Sequence, residues 1–165
     1  MESYNYVFLG GINNSYVFET SKGIVYEIKF KPSSYLFSEN EVFSKLIYEF
    51  VIEVAINDTG KSPSFDAQVS ETIALIFKEF FIKNSYNVCL YICDSSDGKE
   101  DIRRKKFNDW YYKYENGMFI KLDEALIDSN KKIFPISLII YNKNPYAKEI
   151  ASAFIQLALD NKSEK

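Results

Sequence analysis

The chain has 165 residues, 47% hydrophobic and 26% charged, a size and balance that fit one globular domain with a real core. Its formal net charge is -3, from 20 basic and 23 acidic residues, so no global basic field points to nucleic acid or to an anionic membrane surface. It contains no histidine, which excludes Ser–His and Cys–His nucleophilic pairs and histidine metal ligands and leaves any catalysis to carboxylates, Lys, Tyr, Cys or backbone groups.

Residues 1–14 alternate weakly at Tyr4, Tyr6 and Phe8 before Gly10-Gly11, and read as an N-terminal arm or an extra strand. The start lacks the basic and then apolar run of a signal peptide. The longest apolar run, Ile133–Tyr141, is broken by Pro135 and Ser137 and falls short of the ~20 residues that span a bilayer. A cytoplasmic protein with no membrane partner is expected. Tyr16–Thr20 and Ile24–Lys31 flank a turn at Gly23 and form a hairpin, the second strand alternating Ile24, Tyr26, Ile28 and Phe30 with Val25, Glu27, Lys29 and Lys31.

After an irregular connector, Pro32–Lys45, a third alternating strand runs from Tyr48 to Ile56 with Glu49 and Glu53 on its other face. A helix over Phe65–Lys83 follows, with the core stripe Val69, Ile73, Ile76, Phe77 and Phe80 and a cap at Asp66 or Ser64. Val88–Cys93, apolar on both faces, reads as a central strand. A helix at about 98–115, strands at Met118–Leu122 and Phe134–Tyr141, and a helix from Pro145 to Leu159 capped by Asn144 complete the domain before a flexible tail, 161–165. The fold expected is α+β, a mixed and largely antiparallel sheet covered by helices, in the order βββ-α-β-α-ββ-α.

Cys89 and Cys93 sit four apart in one strand, roughly 13 Å at about 3.3 Å per residue, beyond disulfide reach, and read as reduced core residues. Gly60-Lys61-Ser62 has the tail of a phosphate loop, but Ala55 stands where the first Gly belongs and Pro63 delays the helix, so a surface loop is expected. Asp94-Ser95-Ser96-Asp97-Gly98 leaves the carboxyl end of the central strand, the edge where open sheets bind ligands. Asp97-x-x-Glu100 reads first as a variant capping box. The other readings are a ligand site, a Mg²⁺ site on Asp94 and Asp97, or an acid–base pair. Arg103-Arg104-Lys105-Lys106 points around a full helical turn, so it reads as solvated charge pairing with Glu100, Asp101 and Asp109. Phe107, Trp110, Tyr111 and Tyr114 follow core spacing, yet a Trp with neighbouring Tyr and Arg also suits a protein interface.

Two resemblances bear on these residues. Tyr91-Ile92-Cys93-Asp94-x-x-Asp97-Gly98, followed by Arg103 or Arg104, Phe107 and Trp110, resembles the YICDxxDG…R…F..W signature of a family of uncharacterised bacterial proteins, a domain of unknown function. That likeness runs from the Val25-Tyr26-Glu27 strand to about Leu122 and names no reaction. The element order is also similar to the later part of the GCN5-related N-acetyltransferase fold. That resemblance implies acetyl-CoA as cofactor, its pyrophosphate on the amides of the turn Thr59–Asp66, and Tyr112 near the general acid's position.

The functional expectation is a non-enzymatic binding or regulatory module that meets another protein through the turn and helix at 94–114. Asp94, Asp97, Gly98, Arg103, Arg104, Trp110 and Tyr114 form its surface. The alternatives are a divergent acyl-CoA-dependent N-acyltransferase and a Mg²⁺-dependent phosphoester enzyme on Asp94 and Asp97.

Overall fold

The computed structural model describes residues 2–93 and 97–163. Four strands lie antiparallel in chain order: β1 (Tyr6–Gly10), β2 (Ser15–Glu19), β3 (Val25–Pro32) and β4 (Ile47–Ile56). The N-terminal segment is therefore a strand, and Gly10 and Gly11, at φ 71 and 74, make the sharp turn that folds it back onto β2. The alternation in β3 works as its sequence implies. Tyr26, Ile28 and Phe30 are buried, while Lys29 reaches over the opposite face to Glu53 at 2.6 Å.

Helix α1 (Ala67–Lys83) then crosses the sheet and delivers β5 (Val88–Ile92) parallel to β4, a connection that needs such a crossover. After α2 (Glu100–Tyr114), the strands β6 (Phe119–Ile127) and β7 (Ile133–Tyr141) form a hairpin, with β7 inserted beside β5, and α3 (Ala147–Ser163) closes the chain. The result is one mixed, mostly antiparallel sheet of order β1-β2-β3-β4-β5-β7-β6. Strand β6 runs well past Leu122, because pairing with β7 carries Asp123 and Glu124 through to Ile127↔Ile133.

The two faces are covered differently. Ile73, Ile76, Phe77 and Phe80 of α1 and Phe107 and Tyr111 of α2 pack on Tyr16, Phe30, Phe50 and Cys89. On the other face, Ile150 and Phe154 of α3, with Phe37 and Phe43 from the β3–β4 connector, cover Val88, Leu90, Ile136 and Leu138. Phe30 is fully buried and stacks on Phe80 at 3.8 Å, and burying a side chain of that size contributes about 2–3 kcal/mol. Asp66 caps α1, accepting from the Gln68 and Val69 amides at 2.9 and 3.4 Å. Asn144 accepts from the Tyr146 amide at 2.9 Å, just ahead of the first turn of α3. Among the described residues, no helix is long and apolar enough to cross a membrane.

Candidate functional site

The parallel pair β4–β5 is short: Ile47, Tyr48 and Glu49 face Val88, Cys89 and Leu90, after which β4 continues to Ile56 without β5 alongside. Aromatic side chains occupy the region where the strands part. Tyr91 stacks on Phe107 at 4.0 Å, Phe50 lies over Trp110 at 6.1 Å, and Phe77 meets the edge of Trp110 at 5.5 Å. The Trp110 indole N–H donates to the Ser70 carbonyl at 3.2 Å. Trp110 is therefore half-buried, one side packed against the core cluster. Tyr114 turns the same way, packing near Trp110 with a buried hydroxyl that lacks a hydrogen-bond partner.

The acidic turn does not form a capping box. The residue preceding α2 is Lys99, with no side-chain cap bond, and Glu100 does not reach back. Asp97 instead makes a tight turn, accepting from the Lys99 amide at 3.1 Å, and receives both Arg103 guanidinium nitrogens at 2.7 and 2.6 Å. That clamp lowers the Asp97 pKa to about 2. Gly98, at φ 69, supplies the left-handed backbone between the two. Asp94 lies outside the described residues, so any convergence with Asp97 falls outside them too.

Two of the expected pairings form, Arg104 with Asp101 at 3.0 Å and Lys105 with Asp109 at 2.8 Å, whereas Glu100 takes part in no ion pair among the described residues. Tyr112 is 67% exposed on the outer side of α2. Burial pushes the Cys93 thiol up to about 11 and the Cys89 thiol well above its ordinary value, so neither is a ready nucleophile. Gly60-Lys61-Ser62 lies in an exposed loop held by Asn57 and Thr59, with α1 starting only at Ala67. Among the described residues, no group of three or more Cys, Asp or Glu side chains is placed to hold a metal ion.

A cleft of about 430 Å³ opens where the start of α2 meets the β6–β7 hairpin. Glu100, Asp101 and Arg104 form one wall, and Asp123, Glu124 and Ser137 the other. Ser137 donates to Asp123 at 2.6 Å, and the deeply buried Lys121 ammonium pairs with the same carboxylate. Glu124 lies 3.7 Å from Lys162. Three of the four carboxylates thus have cations, whereas Glu100 Oε2 is buried without a hydrogen-bond partner. The β6–β7 wall was not among the sequence candidates. Its signal was the alternation of Lys121 and Asp123, which puts both charges on one face of a strand.

The fold and site define an α+β module with a charged cleft at one edge of its sheet. A family model, a family of unknown function (DUF6169), matches residues 65–156, more than half of the chain, and the chain belongs to that family. The match begins beyond the Val25–Glu27 strand and runs past Leu122, so it covers the layer from α1 into α3. No curated protein and no solved structure gives a significant match.

Proposed function

We propose that the protein is a non-enzymatic binding module whose partner docks at the cleft between the start of α2 and the β6–β7 hairpin. The observation carrying this reading is the Glu100 carboxylate oxygen, buried at the cleft wall with no donor. A buried acceptor left unpaired costs about 1–3 kcal/mol, and a turn of the Glu100 side chain into the cleft would let a partner's donor recover it. A lysine or arginine side chain of another protein supplies such a donor and also matches the carboxylates beside it. Among the described residues Asp97 is committed to Arg103, Trp110 to Ser70 and the thiols to burial, while the unpaired Asn108 Oδ1 and Tyr114 hydroxyl do not line the cleft.

The test is capture of a partner on immobilised wild-type protein, repeated with Glu100→Lys and with Lys148→Glu on α3 as a control. Loss of the partner with Glu100→Lys alone, at an unchanged circular dichroism spectrum, supports the cleft. Equal capture by all three proteins removes it.

A second reading, a divergent acyl-CoA-dependent transferase, is favoured by the parallel β4–β5 pair that parts after three residues and by the crossover helix between them. Two features count against it. Asp66 already occupies the α1 amides on which a pyrophosphate would rest, and aromatic rings fill the region beside the parting strands. Acetyl-CoA at a hundred times its Kd would add about 2.7 kcal/mol of stability. A thermal-shift scan that is flat at millimolar acetyl-CoA eliminates the transferase. A shift accompanied by turnover that Tyr112→Phe abolishes would favour it over the binding module.

A further inference from the structure

The two edges of the sheet are treated in opposite ways. The outer strand β6 carries Lys121, Asp123 and Glu124. At its end the Asn161 side chain of α3 closes both backbone groups of Ile127, accepting from its amide at 2.6 Å and donating to its carbonyl at 3.1 Å. Charges and side-chain caps of this kind prevent a further strand from adding. Strand β1, at the opposite edge, has neither charges nor side-chain caps; its one irregularity is a shift in register on β2 between Phe8 and Gly10. Its residues Tyr6-Val7-Phe8-Leu9-Gly10 include no charge and no proline, and no strand lies beyond it among the described residues. Val7 is 61% and Leu9 65% exposed, and Ile12 in the following turn is 82% exposed.

This edge strand is also tied to α1. The Tyr4 amide donates to Thr72 Oγ1 at 2.8 Å, the Tyr4 hydroxyl to Asp66 at 2.9 Å, and the Tyr6 hydroxyl to Glu79 at 2.8 Å. The Lys83 ammonium sits 3.4 Å above the Phe8 ring. Those contacts fix the face toward α1, whereas Val7, paired with Val17, points to the other face. A preformed strand loses little entropy when another strand pairs with it.

We infer that β1 is a self-association edge, on which a second copy of this chain adds its own β1 antiparallel to make one continuous sheet across two molecules. The occupant follows from the charge pattern. An antiparallel pair about a two-fold axis sets the strand against itself, and any charged residue near that axis would face its own like. Tyr6–Gly10 has none. This edge lies at the far side of the sheet from the α2–β6–β7 cleft, so the inference is independent of the function proposed there.

Sedimentation equilibrium of the full chain is the test, with Val7→Lys and Leu9→Lys as variants and Ile102→Lys, an exposed position on α2, as control. The wild type and Ile102→Lys are expected to be dimeric at micromolar concentration. Each β1 variant is expected to self-associate at least roughly a hundredfold more weakly, since it places an unpaired charge in the pairing. In the wild type, hydrogen-exchange protection of the β1 amides should rise with protein concentration, a readout that needs no variant to fold. A wild type that stays monomeric, or a dimer insensitive to both β1 substitutions, overturns the inference, as does β1 protection that is independent of concentration.

Discussion

The indole N–H of Trp110 donates to the carbonyl oxygen of Ser70 at 3.2 Å, tying α2 to the beginning of α1 above the point where β4 and β5 part. Trp110→Ala removes that bond and the stacking on Phe50, Phe77 and Phe107 together. Because the ring is half-buried, the expected cost is about 3 kcal/mol, with about 1 kcal/mol for Trp110→Phe. Urea denaturation measures both. A loss below about 0.5 kcal/mol for the alanine variant would mean that the wedge bears no weight.

Asp97 and Arg103 predict a local pH dependence. The carboxyl's ordinary value is 3.8, and the Arg103 hydrogen bonds hold it near 2 in the folded chain. A lowered acid contributes its stability above its unfolded value and loses it as pH falls through the folded one. The turn should therefore stay clamped to about pH 4 and release between there and pH 2. An NMR titration of the Asp97 carboxyl is expected to show the low midpoint in the wild type and a return toward 3.8 in Arg103→Gln. Identical midpoints would refute the clamp.

The two thiols give a test of burial. Both are raised in the folded state by burial; the Cys93 contribution is complete below the ordinary thiol value of 9.0 and fades as pH climbs toward 11, and that of Cys89 likewise falls as pH rises above 9.0. At neutral pH a disulfide-exchange reagent should label neither thiol in native protein and both in urea. Rapid stoichiometric labelling of the native chain would contradict the packing around β5.

Glu79 holds the N-terminal strand from α1, accepting from Tyr6 at 2.8 Å and Tyr16 at 3.2 Å and pairing with Lys83 at 3.1 Å. Burial and Glu79 together raise the Tyr6 hydroxyl to about 12. Glu79→Gln weakens three charge-assisted contacts at a partly solvated site, for an expected loss of about 1 kcal/mol. Hydrogen exchange should show the loosening concentrated in β1. A uniform change across the sheet would place the effect elsewhere.

Much of this architecture was legible in the sequence wherever one residue pattern answered to one neighbour. The alternation of Tyr26, Ile28 and Phe30 and the stripe through Ile73, Phe77 and Phe80 each name a buried face, and the structure buries both. The pairings along α2 were readable too, since Arg104–Asp101 and Lys105–Asp109 obey helical spacing. What escaped depends on contacts between distant segments. The spacing of Trp110 reads as core, but its bond to Ser70, forty positions earlier, is not written in its own neighbours. Asp97 looked like a cap because Glu100 stands three residues on, but a left-handed Gly98 turns the chain so that Arg103 reaches it first. The cleft needed β6 folded against α2, and nothing near Glu100 in the sequence names Asp123 or Ser137.

The brief β4–β5 pairing has a mechanical consequence. Four sequential strands, β1 to β4, lie on one side of it and β5, β7 and β6 on the other, with three residue pairs of backbone bonding between them. Elsewhere the ladders are longer, as in the eight pairs between β3 and β4 and the nine between β6 and β7. The weakest line of backbone bonding thus runs through the middle of the molecule, and the rings of Phe50, Tyr91, Phe107 and Trp110 rivet it shut. Under load or denaturant this seam is where the sheet is expected to part first, and the rings that bridge it are what would hold the two halves in one cooperative unit.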